Sequence, residues 1–246
     1  MQFDEGPVEG DAFGAYLLAV LENPEAPPPE LIERSDGLLS VGATGRRYLE
    51  PPREAWALER LAGRRVLDVG AGGGRVSLWL QDHGSEAVAL DISPGAIEVC
   101  RRGGCRHTFE GTASDLVASG FGLFDGFAMF GNNLGLLASR DEAPRLLATL
   151  AVVAAPGAVI VGTCLDPYQT SDAVLLAYHA ANRAVGRMGG QIRLRFRFGR
   201  LCSPWFDYLF MSTAELEELL WGTDWRLEDY LPDDRGQYEA LLRFTG

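Results

Sequence analysis

Short apolar segments alternate with amphipathic segments through the middle of the chain. The apolar segments face hydrophobic surroundings on both sides, which is typical of strands buried in a parallel sheet; they are residues 65–69, 87–91, 124–130 and 158–163. Helical spacing of apolar positions lies between them, at residues 74–83, 94–102 and 141–154. This alternation predicts an α/β fold built on a doubly wound, mainly parallel sheet.

The two ends of the chain follow other patterns. At the start, residues 11–22 have helical spacing with Asp11 as cap, a proline-rich break follows at 23–30, and a second helix is predicted at 53–61. Towards the end, residues 191–198 alternate and pair with 205–211 in a predicted antiparallel hairpin. A capping box at 212–215 then opens a helix, and 226–231 with 238–244 are predicted to pair at one sheet edge.

One domain is expected over residues 1–246, because a chain of this length can bury a single large core. We divide it into an N-terminal helical cap at 1–62 and a cofactor-binding core at 63–165. A lid insertion over the substrate at 166–211 and a C-terminal helix with strands at 212–246 complete the division.

Composition narrows the function classes. The net charge of -12 repels phosphate backbones and anionic lipid, so we expect no nucleic acid and no membrane as partner. The sequence has neither a secretory leader pattern nor an apolar run of about 20 residues, which predicts a cytoplasmic protein. The four cysteines are expected to be reduced thiols, and no metal site is predicted, because Cys100, Cys105 and His107 lack a fourth ligand.

A glycine-rich turn follows the first central strand. Its sequence is Asp68-Val69-Gly70-Ala71-Gly72-Gly73-Gly74. Glycines let the backbone approach a ligand closely, while the free amides of the next helix face that ligand. A dinucleotide fingerprint would need a third glycine at position 75, where Arg75 stands, so the spacing argues against a pyrophosphate cofactor.

The segment VLDVGAGGGRVSLWL, residues 66–80, resembles motif I of the class I S-adenosylmethionine-dependent methyltransferases. AVALDISPGAIEVC then matches their second strand, which ends in an acidic residue. The resemblance implies a seven-stranded sheet and S-adenosyl-L-methionine as cofactor, with S-adenosyl-L-homocysteine as product. It implies that Asp68, Gly70 and Gly72 contact the amino-acid half and that Asp91 accepts the ribose hydroxyls. The implied cofactor-binding set is Asp68, Gly70, Ala71, Gly72, Asp91, Ile92, Thr112, Ala113 and Phe130.

The next motif of the family departs from its usual form. An acidic residue ordinarily meets the adenine amino group, whereas FEGTASDL places Thr112 there, followed by Ala113. The Thr112 hydroxyl could accept that bond, Asp115 could replace it, or the segment could be a plain loop.

Residues 124–137, FDGFAMFGNNLGLL, resemble the strand end of glycine N-methyltransferase-like and related small-molecule enzymes. The resemblance implies that Asn132 and Asn133 stand beside the methyl donor as catalytic residues that align the acceptor. The alternative is a turn, since asparagine tolerates left-handed backbone.

Several side chains keep two interpretations. Arg193, Arg195 and Arg197 form either the solvated face of an edge hairpin or a cationic wall for an acidic substrate. Arg46, Arg47 and Tyr48 either close over the cofactor or lie on the surface. Four aromatic residues either wall a pocket or belong to the core; these are Trp56, Trp205, Phe206 and Tyr208. The histidines, His83, His107 and His179, are expected to be structural or on the surface rather than general bases.

The predicted function is methyl transfer to a small-molecule acceptor by in-line displacement, on nitrogen or oxygen. Nitrogen is slightly favoured, because no residue is a confident base for a hydroxyl acceptor. The alternatives are other sulfonium chemistry such as aminopropyl transfer, and an inactive cofactor-binding partner subunit. A homodimer is a further expectation.

Overall fold

The computed structural model describes residues 6–42 and 45–246, and its larger sheet has seven strands. In chain order the seven strands are β4 (Arg65–Val69), β5 (Glu86–Asp91), β6 (His107–Glu110), β7 (Phe124–Met129), β8 (Ala154–Leu165), β12 (Trp225–Pro232) and β13 (Gln237–Phe244). Their order across the sheet is β12-β13-β8-β7-β4-β5-β6. The pairs from β6 to β8 are parallel, while β13 runs antiparallel to both β8 and β12. The doubly wound, mainly parallel seven-stranded sheet is therefore confirmed.

Helices cover both faces of this sheet. One face packs against α2 (Ala55–Leu58), α3 (Arg75–Asp82) and α4 (Pro94–Gly103). The other face packs against α5 (Ala113–Ala118), α6 (Ala143–Val152) and α8 (Thr213–Leu220). Central strands such as β4 and β7 are buried on both sides, which explains their continuous apolar sequence. Because β4 leads to β5 on one side and pairs with β7 on the other, a crevice opens at their carboxyl ends.

A second, six-stranded sheet stands over that crevice. It consists of β1 (Val8–Glu9), β2 (Leu31–Arg34), β3 (Leu39–Val41), β9 (Gln191–Phe198), β10 (Leu201–Cys202) and β11 (Phe206–Leu209). The predicted antiparallel pair is present as β9 and β11, with Phe206 opposite Leu194. The edge-hairpin interpretation is wrong, however, because β9 also pairs with β2 on its other side. The N-terminal segment is likewise more than helical, since it contributes three of these strands.

The N-terminal helix α1 (Ala12–Glu22) is fixed to the core at one polar residue. The Asp11 carboxylate accepts from Gly14 N at 2.8 Å, which caps α1, and from Gly95 N at 2.8 Å, which is in the first turn of α4. It also accepts from the Ser93 hydroxyl at 2.8 Å. A single carboxylate therefore joins the start of the chain to the loop after β5.

Other predicted elements match with shifted ends. The helix expected at 53–61 is only the four-residue α2. Helix α7 (Ala173–Ala184) was not predicted and lies in the lid segment. The first five residues of the predicted N-terminal cap, with 43–44, lie outside the described residues. Among the described residues, no helix is long and apolar enough to cross a membrane. The four-part division of the chain stays a prediction.

Candidate active site

A cavity of about 1610 Å³ separates the carboxyl ends of the central strands from the second sheet. One wall carries the glycine-rich turn and the loops after β5, β6 and β7, including every residue of the predicted cofactor-binding and catalytic sets. The opposite wall carries the apolar side chains of β9 and β11, among them Ile192, Leu194, Phe196, Phe206 and Tyr208. The cavity therefore joins the two regions that the sequence assigns to cofactor and acceptor.

The glycine-rich turn is held by the neighbouring strand. Both Gly70 N and Ala71 N donate to the Leu90 carbonyl at 2.9 Å. Gly70 has a φ of +73°, and Gly74, the residue before α3, has a φ of +80°. A Cβ on Gly74 would lie 2.7 Å from the Cys105 sulfur, so a larger residue cannot enter. The turn thus requires glycine for both its conformation and its packing.

Asp68 lies at the end of β4, beneath the turn. Its Oδ2 accepts from the Ser77 hydroxyl at 2.7 Å and from Ser77 N at 3.1 Å. Burial raises its pKa to about 6, against the lowering effect of those hydrogen bonds and of Arg75. A buried carboxylate of this kind favours a positively charged ligand, because a cation offsets the cost of its ionisation.

Asp91 lies at the end of β5, across the turn. Its two oxygens accept from Gly72 N and from Ser93 N, each at 2.9 Å. Burial raises its pKa, and the two backbone hydrogen bonds act in the opposite direction. The fixed carboxylate lines the cavity with both oxygens already oriented, as a pair of vicinal hydroxyls would require.

Ile92, Thr112 and Ala113 line the cavity beyond Asp91. Ile92 is an apolar side chain with 72% of its surface exposed, which suits contact with a flat ligand. Thr112 caps α5 in a capping box, where its hydroxyl donates to Asp115 Oδ2 at 2.6 Å. The Asp115 carboxylate is thereby bound to the helix start and does not line the cavity, whereas Thr112 does.

Asn132 follows β7 in a left-handed conformation, with a φ of +70°. Its backbone is fixed on both sides, because its N–H donates to Thr163 Oγ1 at 2.9 Å and its carbonyl accepts from Tyr208 Oη at 2.6 Å. Its side-chain Oδ1 is buried and finds no hydrogen-bond partner within residues 6–42 and 45–246. An unsatisfied buried oxygen at a cavity wall is costly, which points to a ligand that donates to it.

Asn133 lies beside Asn132 and has a different environment. Its Nδ2 donates to the carbonyls of Val69 and Gly70, at 3.0 and 2.8 Å. The side chain therefore clamps the glycine-rich turn to the end of β7. Phe130, the first cavity residue of this segment, is 4% exposed and packs with the core.

The segment before the core supplies part of the cavity wall. Arg47 and Tyr48 line the cavity, whereas Arg46 lies outside it and donates to the Pro24 carbonyl at 2.7 Å. The Tyr48 ring faces Gly72, where an added Cβ would lie 3.5 Å away. Of the two arginines, Arg47 is therefore the candidate for a ligand carboxylate.

The arginine stripe of β9 faces away from the cavity. Arg195 and Arg197 donate to Glu33 Oε2 at 2.9 and 2.8 Å, and Arg193 pairs with Asp207 at 3.3 Å. These residues are absent from the cavity lining, whereas their apolar neighbours on the strand form it. The hypothesis of a cationic wall for an acidic substrate is therefore wrong.

Two of the four aromatic candidates line the cavity. These are Phe206 and Tyr208, while Trp205 packs beneath the Arg195 guanidinium at 4.5 Å. Trp56 packs beneath the Arg60 guanidinium at 3.8 Å, on the outside of the core. Aromatic content alone did not separate these environments, because both kinds of position bury an apolar ring.

Two buried titratable residues of the cavity were not predicted as site residues. His179 lies on α7, is 5% exposed, and its Nδ1 finds no hydrogen-bond partner in the described part of the chain. Burial lowers its pKa, with Arg183 and Arg34 acting in the same direction. Glu30 is also 5% exposed and lines the cavity. No sequence motif marks either residue, since α7 buries His179 and Asn182 and leaves Val174 and Leu176 exposed.

Comparisons with known proteins agree with this geometry. Residues 66–157 match the family model described as methyltransferase domain. The ubiquinone biosynthesis O-methyltransferase of Xanthomonas oryzae pv. oryzae is 36% identical over 84 residues, covering 31% of this chain. The match spans 35% of that relative's length.

Solved structures match over nearly the whole chain. A methyltransferase from Bacteroides fragilis, in complex with S-adenosyl-L-homocysteine, superposes with a TM-score of 0.79 at 23% identity and covers 98% of this chain and 97% of that one. The 1,6-didemethyltoxoflavin-N1-methyltransferase of Burkholderia thailandensis gives 0.54 at 18% identity, covering 99% and 94%. Residues 66–157 therefore match a methyltransferase domain, and the fold is that of the class I S-adenosylmethionine-dependent methyltransferases, as the sequence motifs predict.

Proposed function

We propose that this protein transfers the methyl group of S-adenosyl-L-methionine to a small-molecule acceptor. The observation that carries the proposal is the arrangement of Asp68, the glycine-rich turn and Asp91 along one wall of a cavity whose other wall is apolar. The first wall suits a cationic nucleoside ligand, and the second suits an organic acceptor. Both open into one space, as direct transfer between the two ligands requires.

The cofactor is assigned to the cavity wall in three parts. Asp68 and the turn from Gly70 to Gly72 face its amino-acid half, and Asp91 accepts from the ribose hydroxyls. The adenine ring is assigned to the exposed side chain of Ile92, with Thr112 and Ala113 beyond it; Phe130 supports the wall from behind. Arg47 is the candidate partner for the methionine carboxylate. The raised pKa values of Asp68 and Asp91 support the assignment, since the cofactor is a cation.

Catalysis is assigned to alignment rather than to a strong acid or base. The sulfonium makes the methyl group reactive when the cofactor is bound, so the residues must hold the nucleophile opposite the departing sulfur. The buried Oδ1 of Asn132 can accept a hydrogen bond from an acceptor N–H or O–H. Asn133 is assigned to positioning, because its amide holds the turn.

Whether nitrogen or oxygen is methylated depends on the acceptor. The small preference for nitrogen rested on the lack of a base, and His179, buried in the cavity with a lowered pKa, weakens that reason. The relatives include both an O-methyltransferase and an N1-methyltransferase. We therefore propose N- or O-methylation without choosing between them.

The test is an acceptor screen with radiolabelled S-adenosyl-L-methionine over small amines, phenols and carboxylic acids. Labelled product with any acceptor, and formation of S-adenosyl-L-homocysteine in equal amount, would support methyl transfer. Cofactor binding without turnover over the whole panel would favour an inactive partner subunit instead. Sedimentation of the same preparation would test the expected homodimer.

A further inference from the structure

A belt of aromatic rings crosses the cavity from the glycine-rich turn to Asn132. The rings are Tyr48, Phe13, Phe196, Phe206 and Tyr208, and all five line the cavity. Successive ring centroids lie 5.3, 4.7, 5.9 and 6.4 Å apart. Tyr208 ends the belt at Asn132, to whose carbonyl it donates. A ligand that lies between the cofactor wall and the second sheet therefore meets the faces and edges of a continuous aromatic surface.

The other end of this aromatic belt carries a buried carboxylate. Glu30 precedes β2, is 5% exposed, and accepts a hydrogen bond from the Tyr48 hydroxyl. Tyr48 is neutral, and Glu30 forms no ion pair with any residue of the described ranges. Burial raises its pKa, while the Tyr48 hydrogen bond and the charge of Arg47 oppose that effect. A carboxylate that is out of water needs a cation close to it.

Neighbouring carboxylates of the cavity differ from Glu30. Glu54 pairs with Arg75 at 3.2 Å, and Asp207 pairs with Arg193 at 3.3 Å. Asp11 accepts hydrogen bonds from backbone N–H groups in the first turns of two helices. Glu30 is thus a deeply buried acid of the cavity wall whose charge has no cationic partner at hydrogen-bonding distance.

We propose that Glu30, positioned by Tyr48, is an ammonium-binding site and that it holds the protonated amino group of the acceptor. A carboxylate beside aromatic rings binds ammonium groups by charge and by cation–π contact together. The inference rests on the proposed function and deepens it, because it names the substrate class as a small amine with an apolar body. It concerns the group that anchors the acceptor and leaves the methylated atom open.

The chain offers a matched control for this site. Glu33 lies on β2, close in sequence to Glu30, but points away from the cavity and pairs with Arg195 and Arg197. The variants Glu30→Gln and Glu33→Gln therefore remove one carboxylate each, the first from the residue before β2 at the cavity and the second from β2 outside it. Thermal unfolding of both variants, with and without S-adenosyl-L-homocysteine, establishes that each one is folded.

The experiment is calorimetric titration with 2-phenylethylamine and with its uncharged counterpart 2-phenylethanol, followed by a panel of other small amines. With S-adenosyl-L-homocysteine saturating, the wild-type protein should bind an amine of the panel roughly tenfold or more tightly than its alcohol counterpart. Glu30→Gln should abolish that preference, and Glu33→Gln should keep it. Tyr48→Phe should reduce it by less than Glu30→Gln does, since Tyr48 acts through the carboxylate.

Three results would overturn the proposal. The first is equal affinity of the wild-type protein for amines and alcohols, and the second is an unchanged preference for amines in Glu30→Gln. The third is a Glu30→Gln variant that loses affinity for S-adenosyl-L-homocysteine instead, because that result would assign the carboxylate to the cofactor. If Glu30→Gln does not fold, the wild-type comparison of amine with alcohol decides alone. Failure of the wild-type protein to bind S-adenosyl-L-homocysteine would reject the cofactor assignment, whereas the amine preference, titrated without cofactor, would still decide the role of Glu30.

Discussion

The two walls of the cavity are assembled over very different distances along the chain. On the cofactor wall, the hydrogen bond from Ser77 to Asp68 joins residues 9 apart, and that from Gly72 to Asp91 joins residues 19 apart. In the second sheet, Tyr208 reaches Asn132 over 76 residues, and Arg197 reaches Glu33 over 164 on the side away from the cavity. The centre of the cofactor wall is therefore encoded within residues 68–91, while the acceptor wall depends on the pairing of distant strands.

This difference has a functional consequence. A wall encoded locally keeps its geometry when distant parts of the chain change, so one cofactor site can serve many acceptors. The acceptor wall can change through substitutions on β2, β9 and β11 without moving Asp68 or Asp91. Substitutions on the two walls should accordingly separate cofactor affinity from acceptor use.

The largest expected effect comes from the ionisation of Asp68 on the cofactor wall. The pKa of Asp68 is raised from 3.8 to about 6. At pH values between these two, the folded protein keeps a proton on Asp68 that the unfolded protein has lost. The stability contributed by Asp68 is complete below its unfolded pKa and is lost as pH rises through about 6. Without ligand, wild type should lose about 3 kcal/mol of unfolding free energy relative to Asp68→Asn over this range.

Urea unfolding of both proteins from about pH 4 to about pH 7 measures this difference. Asp229→Asn serves as control, because Asp229 is exposed on β12 and should leave the profile unchanged. Parallel profiles of wild type and Asp68→Asn would show that Asp68 titrates normally in the folded protein.

The ribose assignment predicts the next effect, also on the cofactor wall. Asp91→Ala should weaken binding of S-adenosyl-L-homocysteine by about 1–3 kcal/mol, because a charged hydrogen-bond acceptor is lost. Calorimetry measures the change, and Asp141→Ala, in the exposed loop before α6, is the control. Unchanged affinity in Asp91→Ala would remove the ribose role.

Variants of Asn132 and Asn133, which lie where the two walls meet, test whether turnover and cofactor affinity can be changed separately. Asn132→Ala should lower turnover by about tenfold and change cofactor affinity less, since Asn132 contacts Tyr208 of the acceptor wall and its Oδ1 has no partner within the described residues. Asn133→Ala should do the reverse and weaken cofactor binding, because the turn loses its clamp. Initial rates with an acceptor from the screen, together with calorimetry, separate the two; equal losses of both properties in Asn132→Ala would contradict its role.

The smallest effect is expected on the acceptor wall. Tyr208→Phe removes the hydrogen bond to the Asn132 carbonyl, and we expect a loss of about 1 kcal/mol in unfolding free energy. Turnover should fall by less than in Asn132→Ala, with cofactor affinity preserved. Tyr230→Phe, an exposed tyrosine on β12, gives the comparison in urea unfolding. A change in cofactor affinity as large as that in turnover would mean that the walls are not independent.

The strands and helices β4, α3, β5 and α4 of the cofactor wall were predicted closely, because the contacts that build this part of the wall are local. Strand β4 was predicted with its exact bounds, and the capping box of α8 followed from a short motif. Asp11 was predicted as a cap, but its bond to Gly95 was not, because that contact spans 84 residues. Local patterns specify local geometry, and they leave the docking of distant segments open.

Only the β9–β11 pair of the acceptor wall was predicted, because its other contacts join segments that lie far apart along the chain. Strand β2 follows a proline-rich break and pairs with β9, so neither segment alone shows the sheet they form. The arginines of β9 have neither of the two predicted environments, because Arg195 and Arg197 pair with Glu33 on the neighbouring strand and lie outside the cavity lining. Glu30 and His179 became candidates only when the fold placed them in the cavity.

The most direct measurement is calorimetric titration of the purified protein with S-adenosyl-L-methionine, S-adenosyl-L-homocysteine and NAD in parallel. The arrangement of Asp68, the glycine-rich turn and Asp91 predicts that the first two bind and that NAD does not, because Arg75 occupies the position where a dinucleotide site needs glycine. Binding of NAD, or of none of the three, would contradict the assignment of this wall to the methyl donor.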